Sequence, residues 1–191
     1  LVNIVSLLNT ELNLPLAATD LERAAYLSKA DLVTGMVTEF TELQGTMGKE
    51  YALLDGEKPE VAQAIEEQYL PRFAGDQLPS TETGIAVSLA EKIDNLVGFF
   101  AIGIKPSGSQ DPYALRRQAM GIVNIILDSD LSLNLAAAAG TAEQRRHLPA
   151  IACLGARRVD PQSALPGPGR RARGDGPLRA ADHLRRAVGH P

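Results

Sequence analysis

The stretch Thr34–Gly48, reading TGMVTEFTELQGTMG, carries its large apolar residues at a helical spacing. They recur at i, i+4, i+7 and i+11, which places side chains on one stripe of a 3.6-residue period: Met36, Phe40, Leu43 and Met47. Threonine, glutamate and glutamine occupy the opposite face. The spacing predicts one continuous amphipathic helix that buries this stripe in a core.

Further helices are predicted on both sides of this stretch. Thr19 followed three residues later by Glu22 is typical of a capping box at a helix start. Pro59 suits the first position of another helix, and a helix over about 81–97 follows, with Lys92 outside its apolar stripe. No alternating strand pattern occurs, so the expected fold class is all-α, a helical bundle with short connections.

A polar loop precedes the last strong helical pattern. Asp111 followed by Pro112 predicts the helix start, with the Asp as its cap. Backbone N–H groups at such a start attract anions, and arginines one turn later can reach the same anion. This makes Lys105, Arg116 and Arg117 candidates for contact with RNA phosphates. A capped helix start with solvated or paired arginines is the simpler interpretation, and the one we favour.

The composition changes sharply near residue 140. Residues 1–139 contain nine Lys and Arg against 19 Asp and Glu, about −10, and hold all eight aromatic residues. Residues 140–191 contain ten Arg, no Lys and four acids, about +6, with half of the 12 Pro. Such a segment cannot bury enough apolar surface to offset its ordering entropy. We therefore expect a helical domain over 1–139 and a disordered low-complexity tail over 140–191.

Groups for catalysis or metal binding are sparse. Residues 1–139 contain no histidine, and the three histidines of the tail, His147, His183 and His190, show no regular ligand spacing. Cys153 has no organised histidine partner. The loop PSGSQDP lacks the spaced glycines and the GK[ST] ending of a phosphate loop. We therefore expect no catalytic residue, no metal ligand and no bound cofactor in this chain.

The sequence shows no targeting or membrane signal. It has no run of 18 apolar residues and no basic leader with a cleavage pattern. One cysteine cannot form an internal disulfide, which is compatible with a reducing compartment such as the cytoplasm. The chain begins with Leu rather than Met, so we expect a piece of a longer protein.

Two segments resemble a known family. KADLVTGMVTEFTELQGTMGKEYA over 29–52, and the segment from EVAQAIEEQYLP to GIVNIIL over 60–127, are similar to the β subunit of bacterial glycyl-tRNA synthetase, the type with separate α and β chains. The resemblance extends over about 17–139. Thr41 stands where the family's EFPELQG has Pro, and Gln68 stands where a histidine is expected.

The resemblance implies an internal fragment of that subunit, from a helical region related in fold to the HD phosphohydrolases. In this family the α subunit carries the site that joins glycine to tRNA with ATP and magnesium, and the β subunit supplies tRNA binding. The implied partners are the α subunit and the tRNA for glycine, in the cytoplasm. The implied role of this piece is scaffold or tRNA-binding support, inactive alone. With Gln68 in place of histidine, metal-dependent hydrolysis is not expected.

Two questions stay open at this point. The alternative function is that of a free-standing helical protein-interaction module without enzymatic activity. The tail has two interpretations: its arginines suit nucleic-acid phosphates, but the loss of aromatics, of Lys and of family resemblance near Ala139 is typical of a GC-rich gene read out of frame. We therefore hypothesise that 140–191 is a frameshift product.

Overall fold

The fold is all-helical over the part of the chain that the computed structural model describes, residues 1–12, 14, 16–107 and 109–144. Two short 3₁₀ helices, Ala30–Val33 and Thr41–Leu43, and no strand occur among these residues. The α-helices are α1 Val2–Glu11, α2 Ala18–Leu27, α3 Gly35–Glu39, α4 Thr46–Leu54, α5 Pro59–Glu67, α6 Glu82–Ala101, α7 Leu115–Asp128 and α8 Leu135–Gln144. The predicted fold class is confirmed.

Helix α6 lies at the centre of the bundle. It packs against α1, α2, α5, α7 and α8. Thr81 caps its start, since Thr81 Oγ1 accepts a hydrogen bond from the Gly84 amide at 3.0 Å. A helix surrounded in this way buries more than one stripe, and Lys92 is accordingly buried at 4% exposure. The prediction that Lys92 lies outside the buried face is wrong.

The Thr34–Gly48 stretch is broken, and the prediction of one continuous helix is wrong. Helix α3 ends at Glu39, Phe40 adopts φ −125° and ψ 81°, and Gly45 at φ 85° precedes α4. Because of the break, the N-terminal part of the predicted apolar stripe is exposed to solvent. Phe40 is 50% exposed and Met36 40% exposed.

A tertiary hydrogen bond accounts for this break. The fully buried Asp31 carboxylate accepts from the Gly45 amide at 2.7 Å and from the Tyr69 hydroxyl at 3.1 Å. The contact joins the first 3₁₀ helix to the turn before α4, where glycine tolerates a positive φ. Helical periodicity carries no information about such a partner 14 residues away.

Helix starts agree with the sequence in part. Pro59 is the first residue of α5, as predicted. The predicted capping box is wrong: α2 starts one residue before Thr19, at Ala18, and has no side-chain cap. Helix α7 begins at Leu115, later than predicted, yet Asp111 still caps it from a distance. Its carboxylate accepts from the amides of Leu115 at 2.8 Å and Arg116 at 2.9 Å.

Helix α8 crosses the position where the composition changes. It runs to Gln144 and packs on α1 and α6, with Ala138 and Ala142 fully buried. Residues 145–191 lie outside the described part of the chain, so the predicted division at 140 and the predicted disorder stay predictions. Within the described residues no helix is long and apolar enough to cross a membrane.

Candidate functional site

A cavity of about 570 Å³ lies where the end of α5, the middle of α6 and the first turn of α7 meet. Residues 41, 42 and 44, in and just after the second 3₁₀ helix, also line it. Its polar lining is rich in side chains with nitrogen groups, which include Lys29, Gln68, Arg72, Lys92, Asn95 and Arg117. The broken Thr34–Gly48 stretch therefore supplies one wall of the cavity.

One side of the cavity is neutralised internally. Lys29 forms an ion pair with Glu91. Asn95 Nδ2 donates to the same Glu91 oxygen at 2.9 Å and to Gln118 Oε1 at 3.0 Å. These contacts connect the end of α2 to α6 and α7. They also occupy Glu91, a carboxylate that lines the cavity close to its other cations.

Lys92 is held by neutral acceptors. Its Nζ donates to the Leu70 carbonyl at 2.6 Å, to Ser88 Oγ at 2.8 Å and to the Gln68 carbonyl at 3.3 Å. Burial lowers the pKa of Lys92 to about 8, against an opposing effect of Glu91. All three N–H donors of the ammonium are used, so Lys92 brings positive charge to the cavity rather than free donors.

Gln68 has an unsatisfied oxygen. The residue is fully buried, and its Nε2 donates to the Ser28 carbonyl and, at 3.1 Å, to the Ile65 carbonyl. No hydrogen-bond partner of its Oε1 occurs among the described residues, although Gln68 lines the cavity. A buried acceptor without a donor costs about 1–3 kcal/mol. The sequence pointed to Gln68 only through the expected histidine, not through this oxygen.

Two arginines lie at the cavity with no carboxylate partner. Arg117 Nη1 donates to the Arg72 carbonyl at 3.2 Å, which holds the two residues together. Among the described residues neither Arg72 nor Arg117 forms an ion pair with an acid. No sequence signal marks Arg72, because this residue lies several residues after α5 and outside any motif.

The three candidate RNA contacts are only partly brought together. Arg116 and Arg117 are exposed in the first turn of α7 and line a second cavity of about 340 Å³, with Phe73 and Met120. Lys105 is exposed on the preceding loop but lines neither cavity. The amides at the start of α7 are already occupied by the carboxylate that caps the helix. An anion at this point would therefore meet arginine side chains rather than a free helix N-terminus.

A different polar cluster surrounds Glu67, the residue before Gln68. Its carboxylate accepts from Thr81 Oγ1 at 2.6 Å, from Ser80 Oγ at 2.7 Å and from the Thr81 amide at 3.1 Å. Burial acts to raise the pKa of Glu67, but the hydrogen bonds from Thr81 and Ser80 outweigh it and hold the pKa below its usual value. Gly84 packs directly against this carboxylate.

Tyr69 and Asp31 form a third buried pair. Burial, followed by the neighbouring Asp31 charge, raises the pKa of Tyr69. The phenol therefore stays neutral and donates to Asp31. Among the described residues, no group of three or more His, Cys, Asp or Glu is placed to hold a metal ion. Asp31 acts here as an acceptor for the backbone and for the phenol.

Comparisons with known proteins identify the family. A family model described as the glycyl-tRNA synthetase beta subunit matches residues 1–161. The chain is similar to the "glycine--tRNA ligase beta subunit" of Syntrophomonas wolfei, at 69% identity over 115 residues, 60% of this chain and 17% of that protein. Proteins of the same name from Clostridioides difficile and Marinobacter nauticus are 64% and 57% identical, over 61% and 64% of the chain and 17% and 18% of their own lengths.

These matches cover only part of each relative. The chain spans about 17% of the length of the Syntrophomonas and Clostridioides proteins. The family model, however, covers most of the chain, including every described helix. The chain belongs to the glycyl-tRNA synthetase β-subunit family, of which it represents one helical part.

Proposed function

We propose that this chain is a helical scaffold and tRNA-binding support within the β subunit of a tetrameric glycyl-tRNA synthetase. The observation that carries the proposal is the family match over residues 1–161, which spans the whole described bundle. The bundle's buried polar groups mostly bind each other or the backbone, as expected for a scaffold. No residue of this chain is proposed to catalyse aminoacylation.

The proposed RNA contact is the arginine pair at the start of α7, with Lys105 as a peripheral contributor. Both guanidinium groups are exposed, and phosphate oxygens are ligands that guanidinium groups bind well. The exposed Phe73 beside them offers a ring on which an unpaired base can stack. The net charge of about −10 over 1–139 restricts such contact to a local patch rather than a broad surface.

The complete enzyme is proposed to attach glycine to its tRNA with ATP and magnesium, in the cytoplasm, together with the α subunit. The described residues offer no carboxylate or imidazole cluster for magnesium. The loop from Lys105 to Asp111 has no Walker-type spacing of glycines. Our proposal assigns ATP and its metal to the assembled enzyme, as the family resemblance implies.

The RNA contact is tested in a full-length relative, such as the Syntrophomonas wolfei β subunit assembled with its α subunit. Substitutions equivalent to Arg116→Gln and Arg117→Gln are introduced together at the aligned positions. Loss of phosphate contacts weakens binding uniformly, so we expect KM for tRNA to rise about fivefold with kcat nearly unchanged. A matched variant equivalent to Lys58→Gln removes one exposed charge elsewhere. An unchanged KM in the double variant contradicts the proposed contact.

The alternative is a free-standing helical protein-interaction module, and exposed apolar residues around α3 favour it. Val33 is 66% exposed, and Leu32, Met36 and Phe40 are exposed close by in the sequence. A patch of this kind is typical of a protein interface. Co-purification of the chain with the α subunit, and loss of that complex in Val33→Ser/Phe40→Ser, supports the synthetase role. Stable binding only to unrelated proteins supports the alternative.

A further inference from the structure

The 570 Å³ cavity holds more positive charge than its own carboxylates neutralise. Residues 1–139 contain nine Lys and Arg, and four of them line this one cavity: Lys29, Arg72, Lys92 and Arg117. The acids that line it are Glu42 and Glu91, and Glu91 is paired with Lys29. In a region with a net charge of about −10, this concentration of cations favours an anionic ligand.

The two guanidinium groups that line the cavity have N–H donors available for that anion. Arg117 uses one of its N–H donors on the Arg72 carbonyl, and no other partner of either side chain lies among the described residues. A guanidinium presents five donors in a planar fork that matches phosphate oxygens. Lys92 adds charge behind them, with its donors already satisfied.

Gln68 Oε1 gives an independent indication of a ligand. It is a buried acceptor with no donor, on a fully buried residue that lines the same cavity. Buried polar atoms are nearly always hydrogen-bonded, so the atom is expected to find its donor outside this chain. Chloride and sulfate offer no donor at neutral pH, whereas hydrogen phosphate carries an O–H group. The ligand therefore combines an anionic group with a hydroxyl or amino group.

The size of the cavity selects among such ligands. Cavities that bind small organic molecules usually measure about 300–1,000 Å³, and this one lies within that range. We propose that the cavity binds a phosphate monoester of the size of a nucleoside monophosphate, with Arg72 and Arg117 on the phosphate and Gln68 Oε1 accepting from the nucleoside. The same chemistry occurs in a free nucleotide and at a phosphorylated RNA end.

The test is calorimetric titration of the complete 191-residue chain with AMP, CMP, GMP and UMP, and with adenosine and inorganic phosphate as separate probes. At least one monophosphate is expected to bind about tenfold more tightly than either partial probe, because only the monophosphate satisfies both parts of the site. Arg72→Gln/Arg117→Gln is expected to weaken that binding about tenfold. The control Lys58→Gln removes an exposed charge outside the cavity and leaves binding within about twofold.

A second variant and a second probe complete the test. Gln68→Met keeps the volume and removes the acceptor, so it should weaken the monophosphate while leaving inorganic phosphate unaffected; thermal unfolding verifies that each variant is folded. A short RNA with a terminal phosphate distinguishes a free nucleotide from an RNA end as the ligand. If this RNA binds through the two arginines and the free monophosphates do not, the ligand is a phosphorylated RNA end. Inorganic phosphate binding as tightly as every monophosphate, or binding that Arg72→Gln/Arg117→Gln does not weaken, overturns the proposal. Because free nucleotides test the cavity without RNA, this result does not depend on the RNA contact proposed above for Arg116 and Arg117.

Discussion

Glu67 and Gln68 are consecutive residues at the end of α5, and both are buried, yet their polar atoms have opposite surroundings. Glu67 has four hydrogen-bond donors on its carboxylate, from Gln63, Ser80 and Thr81, and Gly84 packs against it. Gln68 lines a cavity of about 570 Å³, and its Oε1 has no donor in the part of the chain that the structure describes. The Glu67 carboxylate is thus fully hydrogen-bonded within the described residues, whereas Gln68 Oε1 is not.

The difference separates a structural polar group from a binding one. A buried charge with all its hydrogen bonds made within the chain stabilises the fold and has no capacity left for a ligand. A buried acceptor beside unpaired guanidinium groups has that capacity. Ionisable character alone points to Glu67, whereas the ligand contact proposed above is on Gln68.

The strongest test of the Glu67 environment is Gly84→Ala. An added Cβ would overlap Glu67 Oε2 and lie 2.8 Å from Glu67 Cβ. The carboxylate would have to leave its donors, so we expect a loss of about 3 kcal/mol in unfolding free energy, measured by urea titration. Gly35→Ala is the matched control, since nothing lies within 4 Å of its added Cβ. Equal stability of the two variants would falsify the close packing.

The next largest effect is expected from Glu67→Gln, which should lower the free energy of unfolding by about 2 kcal/mol. The neutral amide has only one acceptor oxygen and cannot make the charge-assisted hydrogen bonds of the carboxylate. The folded pKa of Glu67 lies below its usual value of 4.5. Its contribution to stability is therefore present above pH 4.5 and is lost as pH falls through the folded pKa. The variant should lose less stability than the wild type on acidification. Parallel curves would show that Glu67 does not contribute to acid unfolding.

Lys92 gives a pH dependence of the same sign in the alkaline range, but from a different cause, the burial of a cation. Its folded pKa of about 8 lies below the ordinary 10.5, so the unfolded chain binds more protons between these values. This group therefore makes the fold more stable as pH rises from 7 to 9.5, by about 2 kcal/mol. Lys92→Met should lack this rise, and the difference between the two unfolding curves isolates it. The comparison ends at pH 9.5, because the raised pKa of Tyr69 lowers stability above about pH 10.

The smallest effect is expected from Thr41→Pro in the cavity wall. Thr41 is exposed and begins the second 3₁₀ helix, where proline is well accommodated, so the change should alter stability by less than about 1 kcal/mol. Within a continuous helix the same proline would cost about 3 kcal/mol. Thr38→Pro, inside α3, is the destabilising control. A large loss in Thr41→Pro would restore the single-helix interpretation of Thr34–Gly48.

Local patterns predicted most helices correctly because their signals are contained in a few neighbouring residues. Pro59 at the start of α5 follows from a helix-start signal, and the helix predicted over about 81–97, which is α6, follows from periodicity. Phe40 and Lys92 were predicted incorrectly for a shared reason. The exposure of each depends on which other helix lies against it, and that information is absent from a single amphipathic pattern.

The residues of the candidate site also differ in whether a local sequence signal marks them. Arg116 and Arg117 were found because they are adjacent and follow a helix-start signal. Arg72 was missed because it meets Arg117 only through a contact across 45 residues. Lys105 belongs to the same loop signal, but lines neither cavity. Sequence proximity therefore grouped residues that the structure does not place at one cavity, and it gave no signal for Arg72, which only a tertiary contact joins to Arg117.

The sequence by itself determined the helical class, the start of α5 and the family, because these depend on local propensity and on residue order. Only the tertiary structure decided where the Thr34–Gly48 stretch breaks, which lysine is buried and which polar atom is left without a partner. Those outcomes depend on contacts such as Asp31 with the Gly45 amide and Lys92 with the Leu70 carbonyl. Each is a balance between desolvation and hydrogen bonding that exists only once distant segments are packed together.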